Sequence, residues 1–292
     1  MSRSTAELPL ELSDVTVDGH CLVVARQRAP EPRGSVVLLH GGGQTRHAWA
    51  ATTARLGAQG WTTVVYDARG HGDSDWSPTR DYSPDAQLRD LRAVLAGFVT
   101  DAPVLVGASM GGIVALLAAA GGEVAVRGVV LVDIVPKIEE SGAKRIVDFM
   151  AAAADGFGSL EEVAAAIRSS NPQRRRAVNL SSLRKNVRQR ANGRWYWHWD
   201  PAILDHRTTA DLHDPRARLL AAAAQIRIPT LIVTGTGSDI VSDEGVAEML
   251  RLVPHARAVR VSGAVHMVVG DDNGSFSSRV SEWLDEEWPI SS

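Results

Sequence analysis

The stretch 103–114 reads PVLVGASMGGIV, in which a Gly-x-Ser-x-Gly pentapeptide joins two apolar runs. Residues 104–106 are typical of a short buried strand, and the Ala-rich run from Ile113 is typical of a helix. A turn this tight accepts only small residues two positions on either side of the serine, whose hydroxyl is then exposed above the strand end. The pattern predicts Ser109 as a nucleophile. A Gly-rich turn before a helix can also bind phosphate or simply connect two elements, so Ser109 needs partners elsewhere in the chain.

Strand-like and helix-like segments alternate on both sides of this turn. The predicted strands are 10–17, 20–26, 35–39, 61–66, 104–106, 129–132, 229–233 and 257–261. The predicted helices are 48–59, 85–98, 113–120, 243–252 and 276–286. The first two strands flank Asp18-Gly19, a pair that favours a hairpin turn. Strand-helix alternation predicts an α/β fold with a mostly parallel eight-stranded sheet flanked by helices.

The alternation stops after the sixth strand, and residues 136–214 show helical periodicity without a convincing strand. We therefore predict a helical cap over 136–214, inserted into a core domain made of residues 1–135 and 215–292. Residues 163–199 contain no Asp or Glu but many arginines. These arginines form either a solvated helix face or a surface that attracts an anionic substrate.

An aromatic run, Trp195-Tyr196-Trp197-His198-Trp199, lies in this predicted cap. Its tryptophans are candidates for an apolar wall of a substrate pocket. The alternative is that Trp195, Trp197 and Trp199 pack the cap onto the core.

A serine hydroxyl needs a base within hydrogen-bonding distance and a group that orients the base. His266 follows the eighth strand and a turn of small residues, and Asp239 follows the seventh strand in a Gly/Ser loop. Both positions can reach over the sheet edge to Ser109, and Ser109, Asp239, His266 is a known chain order for such a triad. Asp239 can instead cap the next helix. Asp133, at the end of the sixth strand, is the alternative acid.

Two backbone N–H groups are predicted to bind a developing oxyanion. Met110 directly follows the serine, and Gly42 lies in the His40-Gly41-Gly42-Gly43 loop after the first buried strand. A glycine there brings its N–H close without an intervening side chain. We assign the charged turn 67–74 to scaffolding, because Asp67 and Arg69 can lock it through charge-assisted hydrogen bonds.

These residues together resemble the α/β-hydrolase superfamily. The motifs are His40-Gly41, Asp67-x-Arg69-Gly70-x-Gly72-x-Ser74 and Gly107-x-Ser109-Met110-Gly111-Gly112, followed by Asp239 and His266. The resemblance covers nearly the whole chain outside the cap, and is greatest to esterases and cofactor-free haloperoxidases with a serine nucleophile. Val265, directly before His266, stands where that family usually has glycine.

The resemblance implies a serine hydrolase that forms an acyl-enzyme on a small to medium ester, lactone or thioester. Its substrate is a small molecule with a carbonyl group. The same fold also supports C–C bond hydrolysis, perhydrolysis or cofactor-free oxygenation, and it also occurs in ligand-binding proteins with vestigial activity. The motifs do not identify the substrate.

Composition limits the remaining possibilities. The 292 residues carry a formal net charge of −3, which does not favour nucleic acid or membrane binding. The N-terminal residues lack a continuous apolar segment, and the single cysteine, Cys21, fits a reducing compartment, so we expect a cytoplasmic protein. We expect no metal and no cofactor, since the histidines are scattered and Cys21 is alone.

Overall fold

The computed structural model describes residues 9–170, 180–207, 214–265 and 274–289. The strands within these ranges are β1 (Leu10–Val17), β2 (His20–Gln27), β3 (Ser35–Leu39), β4 (Thr62–Tyr66), β5 (Val104–Ala108), β6 (Gly128–Val132), β7 (Val187–Gln189), β8 (Trp195–Trp197), β9 (Thr230–Gly237) and β10 (Arg257–Val265). The α-helices are α1 (Ala50–Ala58), α2 (Pro84–Phe98), α3 (Met110–Gly121), α4 (Glu140–Ala151), α5 (Leu160–Ser170), α6 (Leu180–Leu183), α7 (Pro215–Gln225), α8 (Asp243–Leu252) and α9 (Gly274–Glu287). Short 3-10 helices span Arg46–Trp49, Arg184–Asn186 and Pro201–Arg207.

Eight of these strands form one sheet in the order β1-β2-β4-β3-β5-β6-β9-β10. The β1–β2 and β2–β4 pairs are antiparallel, and every other neighbouring pair is parallel. The predicted mostly parallel, eight-stranded sheet is therefore confirmed. Its topology brings the carboxyl ends of β3, β5, β6, β9 and β10 to one edge of the sheet, and Gly42, Ser109 and Asp239 follow three of these ends.

Helices cover both faces of the sheet. Val36 and Leu38 of β3 pack in one apolar cluster with residues of α1 and α9, whereas Val37 and Leu39 pack in another with residues of α2, α3, α7 and α8. Because both faces are apolar, such strands read as continuous hydrophobic runs rather than as alternating ones.

The cap segment, residues 136–214, has an apolar cluster of its own, built from α4, α5, α6 and the β7–β8 pair. The prediction that it contains no strand is wrong, because β7 and β8 form an antiparallel hairpin with Val187 opposite Trp197. The connection contains Asn192-Gly193, a hairpin signal, with Gly193 at a φ of 77°. The strands are only three residues long, too short to show a period of two.

None of the helices in the described ranges is both long and apolar enough to cross a bilayer.

Candidate active site

Ser109 lies on the sharp turn between β5 and α3. Its φ of 46° and ψ of −113° are rare for a residue other than glycine, and such a conformation costs about 1–3 kcal/mol. The Ser109 N–H donates to Val132 O at 3.1 Å, which ties the turn to the end of β6. A β-carbon on Gly107 would lie 2.3 Å from Gly111 O, and one on Gly111 would lie 2.5 Å from Leu39 O. Both glycines of the motif are therefore required by close backbone approach.

The glycine loop, residues 40–44, follows β3 and passes beside the nucleophile turn. A β-carbon on Gly41 would lie 3.4 Å from Ser109 Cβ. The N–H groups of Gly41 and Gly43 donate to side chains at 3.0 and 3.1 Å. The N–H of Gly42 has no hydrogen-bond partner among the described residues. A free N–H in the loop beside a nucleophile can stabilise an oxyanion.

Met110 is the first residue of α3. Its N–H belongs to the first turn of the helix, where backbone donors have no partner within the helix. Gly42 and Met110 thus lie on the two segments that meet at Ser109, which is the placement that the sequence predicts. Their role as oxyanion donors stays a prediction.

His40 is buried beneath the glycine loop. Its Nδ1–H donates to Gly41 O at 2.8 Å, and its Nε2 accepts the Ala68 N–H at 2.9 Å. A carbonyl can only accept and an N–H can only donate, so these two contacts define one neutral tautomer. Burial lowers the pKa of His40 and keeps the ring neutral. His40 therefore joins the glycine loop to the turn that begins at Asp67.

His71 continues this connection. Its Nε2 accepts the Gly43 N–H at 3.1 Å, and its Nδ1–H donates to Arg69 O at 3.1 Å. Its ring centroid lies 5.1 Å from that of His40 and 5.8 Å from that of His198, which belongs to the cap segment. Burial lowers the pKa of His71 to about 3. His40 belongs to a sequence motif and His71 lies at a variable position of the turn 67–74, but the sequence does not indicate that the two rings hold the glycine loop together.

The turn 67–74 acts as a scaffold, as predicted. Asp67 is fully buried and accepts the Arg46 N–H at 2.6 Å as well as a guanidinium N–H of the same residue. Arg69 makes two 2.7 Å hydrogen bonds to the buried carboxylate of Asp90. The two charged residues named by the motif therefore bind separate partners.

Asp133 directly follows β6, with a φ of 51°. It is 4% exposed. Ser238 Oγ donates to its Oδ2 at 3.0 Å, and the Gly235 N–H lies 3.4 Å from its Oδ1. Its neighbour Val132 is the residue that accepts the Ser109 N–H. Asp133 is therefore a buried, oriented carboxylate next to the nucleophile turn.

Asp239 lies in the loop after β9, as expected, but its carboxylate binds Arg145 of α4. The Arg145 Nε–H donates to Asp239 Oδ2 at 3.0 Å, and Nη2 contacts the same oxygen. The Asp239 side chain is 45% exposed. In this arrangement Asp239 attaches the cap segment to the core.

His266, the predicted base, lies outside the described residues, and so do the positions that follow it up to 273. The strand before it, β10, pairs in parallel with β9 and brings Val265 opposite Gly237. The chain thus reaches residue 265 at the sheet edge that carries Asp133. The role of His266 stays a prediction.

The aromatic run lies on and directly after β8. Trp197 and Trp199 stack with centroids 4.9 Å apart and are 7% and 2% exposed, whereas Trp195 is half-buried. Trp199 Nε1 donates to Met150 O at 3.3 Å, and Met150 Sδ would lie 3.7 Å from a β-carbon on Gly42. The two stacked rings thus pack inside the cap segment, and the pocket role of all three tryptophans stays a prediction. No sequence motif indicated that Met150 lies over the glycine loop.

A mostly parallel sheet in this strand order, with a serine on a strained turn between β5 and α3, defines an α/β hydrolase. The chain belongs to the Hydrolase_4 family, described as serine aminopeptidase, S33, whose model matches residues 30–273. The resemblance inferred from the motifs is confirmed.

Three known proteins illustrate the relationship. Esterase Rv0045c of Mycobacterium tuberculosis is 31% identical over 260 residues, which cover 86% of this chain and 82% of the esterase. A structure of that esterase matches with a TM-score of 0.73 and 28% identity, over 96% of this chain and 93% of the other. N-formylmaleamate deformylase of Pseudomonas putida is 27% identical over 252 residues, or 86% and 88% of the two chains. The structure of E-2-(acetamidomethylene)succinate hydrolase shares the fold, with a TM-score of 0.79 and 23% identity over 95% and 100% of the chains.

The relatives are esterases and other hydrolases. The predicted hydrolase class is therefore confirmed. The alternatives of C–C bond hydrolysis, perhydrolysis, cofactor-free oxygenation and ligand binding with vestigial activity are not favoured.

Proposed function

We propose that the protein is a serine esterase that acts through an acyl-enzyme. Ser109 Oγ attacks the substrate carbonyl carbon, and His266 accepts the hydroxyl proton and then donates it to the leaving group. The N–H groups of Gly42 and Met110 stabilise the tetrahedral oxyanion. Water, deprotonated by His266, attacks the acyl-enzyme, which releases the acid and regenerates Ser109. The observation that carries this proposal is the strained Ser109 turn beside the glycine loop, where no described residue accepts the Gly42 N–H.

For the acid that orients His266, we favour Asp133 over Asp239. A buried carboxylate makes a stronger hydrogen bond to an imidazole than an exposed one does. Asp133 is buried and held by Ser238, whereas Asp239 is partly exposed and paired with Arg145. These contacts support a structural role for Asp239, whereas the sequence analysis favours Asp239 as the catalytic acid.

The proposed substrate is a small to medium ester, lactone or thioester. Ester hydrolysis by the Mycobacterium tuberculosis relative supports the reaction. The apolar surroundings that Met150 provides above Gly42 support an apolar acyl part. A cytoplasmic location stays part of this proposal, since the only cysteine, Cys21, leaves the chain without an intrachain disulfide.

Two measurements on the purified protein test the proposal. A fluorophosphonate should label the protein at Ser109, as located by peptide mass spectrometry, and should not label Ser109→Ala. A panel of esters, lactones and thioesters of graded acyl length should reveal multiple turnover, and Ser109→Ala should lower kcat by about four orders of magnitude. Turnover of the best substrate at the wild-type rate by Ser109→Ala would exclude the mechanism.

A further inference from the structure

His198 connects the cap segment to the glycine loop. It follows β8, is 3% exposed, and its N–H is held by Asn186 O at 3.1 Å. Its Nδ1 accepts the Gly72 N–H at 2.7 Å, and its Nε2–H donates to Gly43 O at 3.2 Å. One cap side chain therefore binds the backbone of two core loops.

The two contacts fix the charge and the tautomer of this ring. Nδ1 must be unprotonated to accept from Gly72, and Nε2 must carry hydrogen to donate to Gly43. Burial lowers the pKa of His198 well below its usual range, and the ring of His71 acts in the same direction. A proton on Nδ1 would place two donors against each other. The ring is therefore held in one neutral form.

Two rigid peptide planes connect Gly43 O to the Gly42 N–H, which has no partner in the part of the chain that the structure describes. Gly43 O and the Gln44 N–H belong to one planar peptide group. That Gln44 N–H donates to Gly41 O at 3.1 Å. Gly41 O and the Gly42 N–H belong to a second planar group, whose carbonyl also accepts the His40 Nδ1–H at 2.8 Å. We therefore expect a rotation of the first plane to change the direction of the Gly42 N–H.

We propose that His198 is a positioning residue, which aligns the Gly42 N–H with the oxyanion through its own hydrogen bond to the glycine loop. This inference rests on the proposed esterase function. His198 does not touch the substrate. It acts through the Gly43 carbonyl and the two peptide planes that the hydrogen bond from the Gln44 N–H to Gly41 O links.

The chain offers a matched control for cap docking alone. Arg188 of β7 donates to Gly72 O at 2.7 Å and to Asp73 Oδ1 at 2.6 Å. It therefore holds the same core turn as His198 but makes no hydrogen bond to Gly43. Loss of Arg188 weakens the attachment of the cap segment without removing the donor that faces the glycine loop.

The test compares His198→Asn, His198→Gln and Arg188→Gln on one ester substrate. Asn can keep an acceptor near Gly72 but is too short to reach Gly43, whereas the Gln amide extends to the Nε2 position. We expect His198→Asn to lower kcat by about 10- to 100-fold with little change in KM, because a misaligned donor weakens transition-state binding. His198→Gln should recover most of this loss, and Arg188→Gln should keep the wild-type kcat. A trifluoromethyl ketone that forms the tetrahedral adduct should bind His198→Asn more weakly by a similar factor.

Three results would overturn the inference: a wild-type kcat in His198→Asn, no recovery in His198→Gln, or an equal loss in Arg188→Gln. Thermal unfolding of all four proteins identifies losses that come from instability. Ser109→Ala, assayed beside them, separates the two proposals. An active Ser109→Ala would refute the esterase mechanism, whereas an inactive Ser109→Ala beside a fully active His198→Asn would refute only the role of His198.

Discussion

Ser238 Oγ donates a 3.0 Å hydrogen bond to Asp133 Oδ2 and thereby joins the loop after β9 to the end of β6. The same hydroxyl accepts the N–H of Val241 at 3.1 Å. Its proton is therefore directed at the carboxylate, which leaves Asp133 with one orientation. A carboxylate held in this way is suited to orient an imidazole.

The first prediction separates the two candidate acids. Asp133→Asn should lower kcat by about 10³- to 10⁴-fold, because an amide in this position favours the wrong tautomer of the base. Asp239→Asn should lower it by no more than about tenfold, because it weakens a partly exposed ion pair with Arg145. Steady-state kinetics on one ester decides between them. The reverse ranking would return the acid role to Asp239.

The second prediction concerns the glycine after the nucleophile turn. Gly111→Ala should destabilise the protein by about 1–3 kcal/mol, because the added methyl meets Leu39 O at 2.5 Å and backbone atoms yield little. Gly121→Ala, at the other end of α3, is the control: nothing lies within 4 Å of its added carbon. This control should be neutral or stabilising by up to about 1 kcal/mol. Urea unfolding measures both, and similar midpoints for the two variants would contradict the packing argument.

The third prediction concerns the buried Arg69–Asp90 pair, in which both side chains are 1% exposed. Asp90→Asn removes the charge that compensates Arg69 and should lower the free energy of unfolding by about 3–5 kcal/mol. Lys144→Gln removes one partner of the exposed pair with Asp148 and should cost about 0.5 kcal/mol or less. Chemical denaturation of both variants gives the comparison. Equal losses would mean that burial does not govern the effect.

The fourth prediction is a pH dependence of stability to which the buried rings of His40, His71 and His198 contribute. Burial lowers the pKa of all three, that of His71 to about 3. The pKa of a histidine in an unfolded chain is about 6.5. Below that pH the unfolded state therefore binds protons that the folded rings do not. The free energy of unfolding should therefore fall as the pH drops from about 6.5 towards 3. Each ring contributes a slope of up to about 1.4 kcal/mol per pH unit.

Urea midpoints measured from about pH 8 to about pH 5.5 test this dependence while most carboxylates stay ionised. His198→Gln removes one of the three rings. It should therefore reduce the slope of the free energy of unfolding against pH by the contribution of one histidine, up to about 1.4 kcal/mol per pH unit. His255→Gln, at an exposed position, controls for the loss of a histidine as such. Equal flattening in both variants would contradict the assignment to buried rings.

The parts of the site that follow from the sequence are those fixed by short-range geometry. The Ser109 turn and the glycines around it are required at fixed spacing by one strand-to-helix connection, and apolar runs identify the buried strands on either side. The glycine loop was predicted in the same way, from its position after β3. The central strands β3, β4, β5, β6 and β9 are predictable because they are apolar on both faces, and β1 and β2 because they flank the Asp18-Gly19 turn.

The parts that do not follow depend on residues distant in the chain. The choice between two acids depends on a positive φ at Asp133 and on Arg145, which lies 94 positions before Asp239. The contact of His198 with Gly43 spans 155 positions. Contacts between residues so far apart in the chain leave no local sequence pattern from which they can be predicted. The β7–β8 hairpin had a local signal in Asn192-Gly193, but helical periodicity around it obscured the two short strands.

The described part of the cap segment is attached to the core at two places. Near its start the Glu139 N–H donates to Ile240 O at 2.9 Å, next to the Arg145–Asp239 pair. After β8 the Asp200 N–H donates to Gly70 O at 2.9 Å, close to the contacts of His198. Exchange of this segment alone for that of a relative would therefore place the new cap segment on core loops that lack matching hydrogen-bond partners for it. A chimera that alters specificity should transplant the turn 70–73 and the loop 238–240 together with the cap.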